Sequence, residues 1–278
     1  DQARFEQWLQ RLREAKEFAI DTETTSVDYM QAELVGISLC LEPGEACYIP
    51  LLHRYENAPQ QLDKKAVLAA LKPVLEDPTI GKIGQNIKYD GHVFFGEGIR
   101  MRGIAHDTML ESYVLNSTAS RHNMDALAKY YLDHDTIHYT DIAGKGVKQK
   151  TFDQVEIEPA SDYAAEDADV TLRLHRVLNP ALNEDEKLNR VYREIEMPLV
   201  EVLLDVEQNG VLIDQDMLRS QGKEIDQKLG QIETEIYQQA GEVFNLSSPK
   251  QIQAIFFEKL DLPVLRKTPK GQPSTAED

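Results

Sequence analysis

Three short segments carry side chains with the potential for chemistry. Asp21-Thr22-Glu23 closes an apolar run, and in a strand positions i and i+2 point the same way. Two carboxylates are thereby forced onto one face, which is costly unless a cation neutralises them. Asp90 ends Gly84-Gln-Asn-Ile-Lys-Tyr-Asp90, which follows a second apolar run. Tyr163-Ala-Ala-Glu-Asp167 sets a phenol and a carboxylate four residues apart, one above the other on a helix face. Each segment alone is weak, since strand-end acids are common turn chemistry. Together they supply four carboxylates from separate parts of the chain. Hard oxygen ligands suit Mg²⁺ or Mn²⁺, and two such ions clamp the attacking and leaving oxygens of a phosphodiester.

The elements around these segments read as an α/β layer structure with a mixed sheet. Phe5, Trp8, Leu9 and Leu12 mark an amphipathic helix. Strands are expected at 18–21, 34–41, 46–51, 80–84 and 103–105. Helices are expected over 62–76, from about Asn86, after Asp107-Thr108, from Asn123, and over a long stretch from about Pro159. Asn86 and Asp107 are candidate helix caps, with Lys88 adding positive charge near a helix N-terminus that attracts anions. Residues 132–158 read as loops and short turns. Cys40 and Cys47 would face each other across a hairpin, and a reducing compartment disfavours their oxidation. The character changes after Asn179-Pro180: residues 185–210 form one helical pattern, 214–240 a long polar helix with little core of its own, and 248–260 another helix. Residues 267–278 read as a loop.

The 278 residues hold 30 Lys plus Arg against 48 Asp plus Glu, a net charge of −18. Binding nucleic acid by bulk charge is therefore excluded, and such a function must rest on local geometry. Residues 51–150 are close to neutral, with 13 basic and 12 acidic side chains, so a polyanion can approach there. No run of about 18 apolar residues suits a membrane helix. His134 and His138 mimic a zinc pair by spacing, but lack a third ligand or adjacent Glu and read as surface histidines. Glu166 and Asp169 read as flanking the acids without binding metal.

Asp-Thr-Glu-Thr, Gln-Asn-x-Lys-Tyr-Asp and Tyr-Ala-Ala-Glu-Asp-Ala-Asp, in this order, resemble the proofreading 3′–5′ exonuclease domain of bacterial family A DNA polymerases. That domain belongs to the four-acid exonucleases with a tyrosine in the third motif, on a ribonuclease H-like fold. The resemblance extends through Asp107-Thr-Met-Leu-Glu-Ser-Tyr and Ile142-Ala-Gly-Lys-Gly. It implies an exonuclease domain over residues 1–183 and the truncated, helical beginning of a polymerase domain, rising into its thumb, over 184–278. It also implies two Mg²⁺, replaceable by Mn²⁺ or Zn²⁺. Asp21, Glu23 and Asp167 would hold the first ion; Asp21 would bridge to a second, reached by Asp90 directly or through water. Tyr163 and Glu23 would orient the attacking water. Val27, Gln85, Asn86, Lys88, Arg121 and Tyr139 fall where the family contacts a single-stranded DNA 3′ end, with Val27 smaller than the usual wedge there. The polymerase palm and fingers are not found, so no DNA extension is expected. The resemblance further implies a monomeric, cytoplasmic, nucleoid-associated protein whose partners are DNA and the rest of a polymerase chain. Two other readings remain open: a non-catalytic DNA-binding scaffold, and a related exonuclease acting on RNA.

Overall fold

A computed structural model describes residues 1–118 and 121–276. The chain divides into two compact units, Asp1–Gly210 and Val211–Asp278.

The first unit is built on five strands: β1 (Glu17–Thr24), β2 (Leu34–Glu42), β3 (Glu45–Pro50), β4 (Gly81–Gly84) and β5 (Ile104–Asp107). Their order is β3-β2-β1-β4-β5, so β1 is central. β1 pairs antiparallel with β2 and parallel with β4, giving the mixed sheet expected. The β2–β3 connection is a tight hairpin closed at Glu42 and Glu45. Its register sets Cys40 opposite Ala46 and Cys47 opposite Leu39, so the two thiols are not directly across from each other; both are free.

Helices α1 (Gln2–Glu14), α2 (Lys64–Leu75), α3 (Ile87–Gly96), α4 (Thr108–Leu115) and α5 (Met124–Leu132) stand where the apolar periodicities predict them. Phe5, Leu9 and Leu12 of α1 and Val67, Leu71 and Val74 of α2 join Phe18 and Ile20 of β1 in the main core. The segment read as loops contains one short helix, α6 (Tyr139–Ala143), and two single 3₁₀ turns.

Helix α7 (Ile157–Glu184) crosses the sheet and contacts β1 to β4. Its inner face is lined by Ala160, Ala164 and Ala168, all fully buried. Small side chains at i, i+4 and i+8 let the helix settle close to β1 and β2. α7 begins two residues before Pro159, which sits in its first turn, where a missing N–H costs nothing. It also runs through Pro180, after which the sequence changes character; the lost hydrogen bond falls about one turn from the helix end and Leu178 and Leu182 remain fully buried.

The expected boundary at 183/184 is not where the compact units divide. α8 (Glu186–Val191), a π-helical turn (Tyr192–Glu196) and α9 (Met197–Asn209) bury Tyr192, Met197, Val200 and Leu204 in the first unit's core. Burying this apolar stripe couples residues 184–210 to the sheet, and the chain parts instead after Gly210, whose φ of 65° ends α9.

The second unit consists of α10 (Gln215–Ala240), α11 (Pro249–Gln253) with a π-helical continuation to Lys259, and a terminal segment closed by one Lys267–Pro273 bridge. Along α10 only Ala240 is buried, as a polar helix with little core requires.

Candidate active site

Asp21 and Glu23 alternate with Thr22 near the end of β1, opposite Ser38 and Gly36 of β2. Gly36 is needed there: a Cβ would stand 2.1 Å from the Tyr48 hydroxyl. Asp167 comes from α7 and Asp90 from α3. Carboxylate oxygens of Asp21, Glu23 and Asp167 all lie within 4.8 Å of one another. Asp90 stands just outside that trio, 2% exposed, with Oδ1 accepting a 2.6 Å hydrogen bond from Thr22 Oγ1. All four acids are thus gathered, three tightly and one beside them.

The electrostatics are those of carboxylates that repel one another. Burial pushes Asp21 up to about 7. Burial, with repulsion from Asp21, Asp167 and Asp90, drives Glu23 well above the usual carboxylate range. Asp90 and Asp167 rise likewise, each by burial and then by repulsion from Asp21. The charges acting most strongly on these three acids are all negative. Glu23 Oε1 is buried and has no hydrogen-bond partner among the described residues. An orphaned carboxylate oxygen inside a trio of acids fits a divalent cation better than any protein group present, and the all-oxygen donor set suits Mg²⁺ or Mn²⁺.

Tyr163 lies one helical turn before Asp167, with its hydroxyl turned to that carboxylate. Its ring packs edge-on against Tyr139, centroids 6.4 Å apart, and tilts against Phe152 at 6.0 Å. Burial, then the neighbouring Asp167, Glu23 and Asp21, push its phenol far up, so it stays protonated and can donate. Tyr139 is half-buried, stacks on Phe152 and donates to the Lys150 carbonyl at 2.9 Å.

The remaining predicted contact residues are placed less uniformly. Val27 is 96% exposed on the loop after β1. Tyr89 of α3 ties that loop down by donating to the Ser26 carbonyl at 2.6 Å. Gln85 is half-buried and already engaged, donating to the His122 carbonyl at 2.9 Å and accepting from the Thr108 hydroxyl. Arg121 is exposed. Lys88 is ion-paired with Glu207 of α9, so its charge is locally compensated. Asn86 is exposed and precedes α3, but does not cap it through its side chain; its backbone is left-handed, φ 61°. Asp107 does the capping instead. Its carboxylate accepts from the backbone N–H of Asn86 and Ile87 at 3.2 and 2.9 Å, and from Met109 and Leu110 at 2.9 and 3.3 Å. The α3 N-terminus read as attracting anions therefore already has one, drawn from β5.

Three further groups support the site without having stood out in the sequence. Thr22 fixes Asp90, Tyr48 fills the space left by Gly36, and Tyr89 holds the loop of Val27. Only Thr22 had a positional signal, lying between the two strand acids. His134 and His138 face Glu166 and Asp125, at 2.8 and 3.2 Å, rather than a shared ligand position. Asp169 accepts from the Gly44 backbone N–H at 2.6 Å. Glu166 and Asp169 are thus occupied beside the cluster, in agreement with their expected flanking role.

A central strand ending in paired acids, met by a helix that delivers a third, gives a mixed α/β fold with a carboxylate cluster suited to divalent cations. Comparison with known proteins narrows this. A family model described as 3′–5′ exonuclease matches residues 1–183, and one described as DNA polymerase family A matches residues 215–278. The chain belongs to the 3′–5′ exonuclease family of family A DNA polymerases, whose members are metal-dependent hydrolases. It is 56% identical to DNA polymerase I of Pseudomonas aeruginosa, aligning over all of this chain and 31% of that protein. It is 41% identical to DNA polymerase I of Rhizobium leguminosarum over 99% of this chain and 29% of that one. The chain thus spans about a third of the length of the curated relatives it matches. A solved structure, the POL domain of Pol1 from M. smegmatis with DNA primer-template and dNTP, shares the fold, with a TM-score of 0.72 at 24% identity over 97% of this chain and 42% of that one.

Proposed function

We propose that this chain removes nucleotides from single-stranded or frayed DNA 3′ ends, the proofreading step of a longer polymerase. The observation that carries this is the trio Asp21, Glu23 and Asp167 with Asp90 alongside, mutually repelling, all but Asp21 buried, and holding one carboxylate oxygen without a partner among the described residues. Asp21, Glu23 and Asp167 would hold one Mg²⁺, and Asp21 with Asp90 a second. When bound, the ions supply Lewis acidity to the attacking and leaving oxygens of the phosphodiester. Tyr163, kept protonated by its burial, donates toward Asp167 and, with Glu23, orients the attacking water. Tyr139 offers a ring face to a terminal base, a stacking contact worth about 1–3 kcal/mol. Val27, Gln85, Asn86, Lys88 and Arg121 border the approach of the strand. Lys88 would have to exchange Glu207 for a phosphate, so its contribution should be smaller than an unpaired lysine's.

The domain assignment we favour keeps residues 1–183 as the exonuclease and 184–278 as the beginning of the polymerase domain. The bacterial relatives support a cytoplasmic setting; nucleoid association and action as a monomer within a longer polymerase are part of the same proposal. The test is a 3′-labelled deoxyoligonucleotide with Mg²⁺. Mononucleotides should appear, EDTA should stop their release, and Asp21→Ala should abolish it. DNA binding without turnover would make the chain a scaffold, and preference for a ribo-oligonucleotide would make it an RNA exonuclease.

A further inference from the structure

A second cluster of ligating side chains lies in the first unit, away from the four acids. Glu17 at the start of β1, His106 in β5 and His175 in α7 each bring one ligand atom to within 4.8 Å of the others. Glu17 is exposed, whereas His106 and His175 are 9% and 7% exposed. The two imidazoles lie against each other, centroids 4.1 Å apart.

Behind them sits Glu111 of α4, fully buried. Its Oε1 accepts from His175 Nδ1 at 2.8 Å and from Asn179 Nδ2 at 3.0 Å, and lies 3.3 Å from His106 Nδ1. With Nδ1 of His175 held against this carboxylate, Nε2 on the other side of the ring is turned away from it. A buried carboxylate that orients imidazoles through Nδ1 is the arrangement that supports metal-bound histidines elsewhere, fixing tautomer and ring direction. The other Glu111 oxygen, Oε2, is buried and has no hydrogen-bond partner among the described residues. Buried polar atoms are normally paired, so this acceptor stands out beside the two histidines.

We propose that Glu17, His106 and His175 form a Zn²⁺ site, with Glu111 as the group that orients its histidines. Two imidazoles and one carboxylate match the donor set that zinc takes at about 2.0–2.2 Å. Tetrahedral ligands at such bond lengths stand roughly 3.3 Å apart, inside the 4.8 Å within which the three ligand atoms already lie. Nitrogen donors favour zinc over the Mg²⁺ that suits the four acids, so the two sites sort their ions by chemistry. They cannot share one. Glu17 precedes Asp21 by four strand residues, about 13 Å, and His175 follows Asp167 by eight helical residues, about 12 Å. The same two elements, β1 and α7, therefore supply ligands to both sites. Zinc here would join β1, β5 and α7 and so fix the frame on which the acids are mounted.

The test is calorimetric titration of the full chain carrying Asp21→Asn and Asp167→Asn, which weakens the acidic cluster, with Zn²⁺ alone. One equivalent should bind, and millimolar Mg²⁺ should not displace it. Adding Glu17→Gln, an exposed change that leaves the Glu111 network intact, should weaken binding by ~100-fold. His106→Phe should do the same, with circular dichroism confirming that the variant is folded. In ¹⁵N-labelled protein, Zn²⁺ should move the Nε2 resonances of His106 and His175. The proposal is overturned if the acid-depleted chain binds no zinc, if Glu17→Gln binds it as tightly as its parent, or if only other histidines respond.

Discussion

Replacing Asp21 by asparagine should stabilise the metal-free chain while destroying its activity. Asp21 has a folded-state pKa pushed from 3.8 to about 7, so the folded chain binds its proton more tightly than the unfolded chain does. Between those values the folded state holds more protons, and stability must fall as pH rises. The displacement corresponds to an upper bound of ~4 kcal/mol. Water reaches this partly exposed carboxylate, so about 2 kcal/mol is the working figure. For a unit of this size that is ~5 °C in melting temperature. The assay is thermal unfolding in EDTA from pH 4.5 to 8.5, comparing parent with Asp21→Asn. The variant should melt higher above pH 7 and converge with the parent near pH 4. Taking the difference removes other groups, such as Asp107, itself raised to about 6 by burial. Mn²⁺ should then raise the parent's melting temperature more than the variant's. A parent that grows more stable from pH 5 to 8 in EDTA, or a variant less stable at pH 8, would refute the repulsion argument.

Other expectations follow from single contacts. Tyr163→Phe keeps the packing against Tyr139 and Phe152 but removes the hydroxyl, so cleavage should fall ~100-fold with Mn²⁺ affinity unchanged, as single-turnover kinetics and titration can show. Asp107→Ala strips the partner from four backbone N–H groups at two helix starts and should cost about 2–4 kcal/mol in urea unfolding, with faster amide exchange at the beginning of α3. Burial pushes Cys40 and Cys47 up to about 12, so both thiols should react slowly with a disulfide reagent at pH 8 until the chain is denatured. Val27→Leu enlarges a fully exposed side chain beside the site and should lower the KM for single-stranded ends with little change in kcat.

The elements that were legible in the sequence are those whose burial pattern is repetitive. α1, α2 and α7 announce themselves by apolar residues every three or four positions, and β2 by an unbroken apolar run. The acids were legible because alternation along β1 and the four-residue step on α7 constrain side-chain direction before any tertiary structure is known. What escaped notice depends on partners far apart in the chain. Asn86 looks like a cap by local rules, yet Asp107 lies 21 residues away and takes the role because β5 runs parallel to β4. Lys88 looks like a free charge until α9 brings Glu207 to it. Pro180 looks like a stop, but the buried Leu178 and Leu182 on either side hold the helix through it. The compact first unit runs on to Gly210 for a similar reason, since Tyr192 packs into its core and bonds to Glu111 and Asp107, both far away in the chain.

The gathering of four acids around divalent ions is best tested by locating the ions. Crystals of the full chain soaked with Mn²⁺ and a nucleoside monophosphate should give one anomalous peak among Asp21, Glu23 and Asp167, within bonding distance of Glu23 Oε1, and a second between Asp21 and Asp90. Manganese bound elsewhere, or an empty cluster with Glu23 Oε1 paired to a basic side chain, would contradict the account.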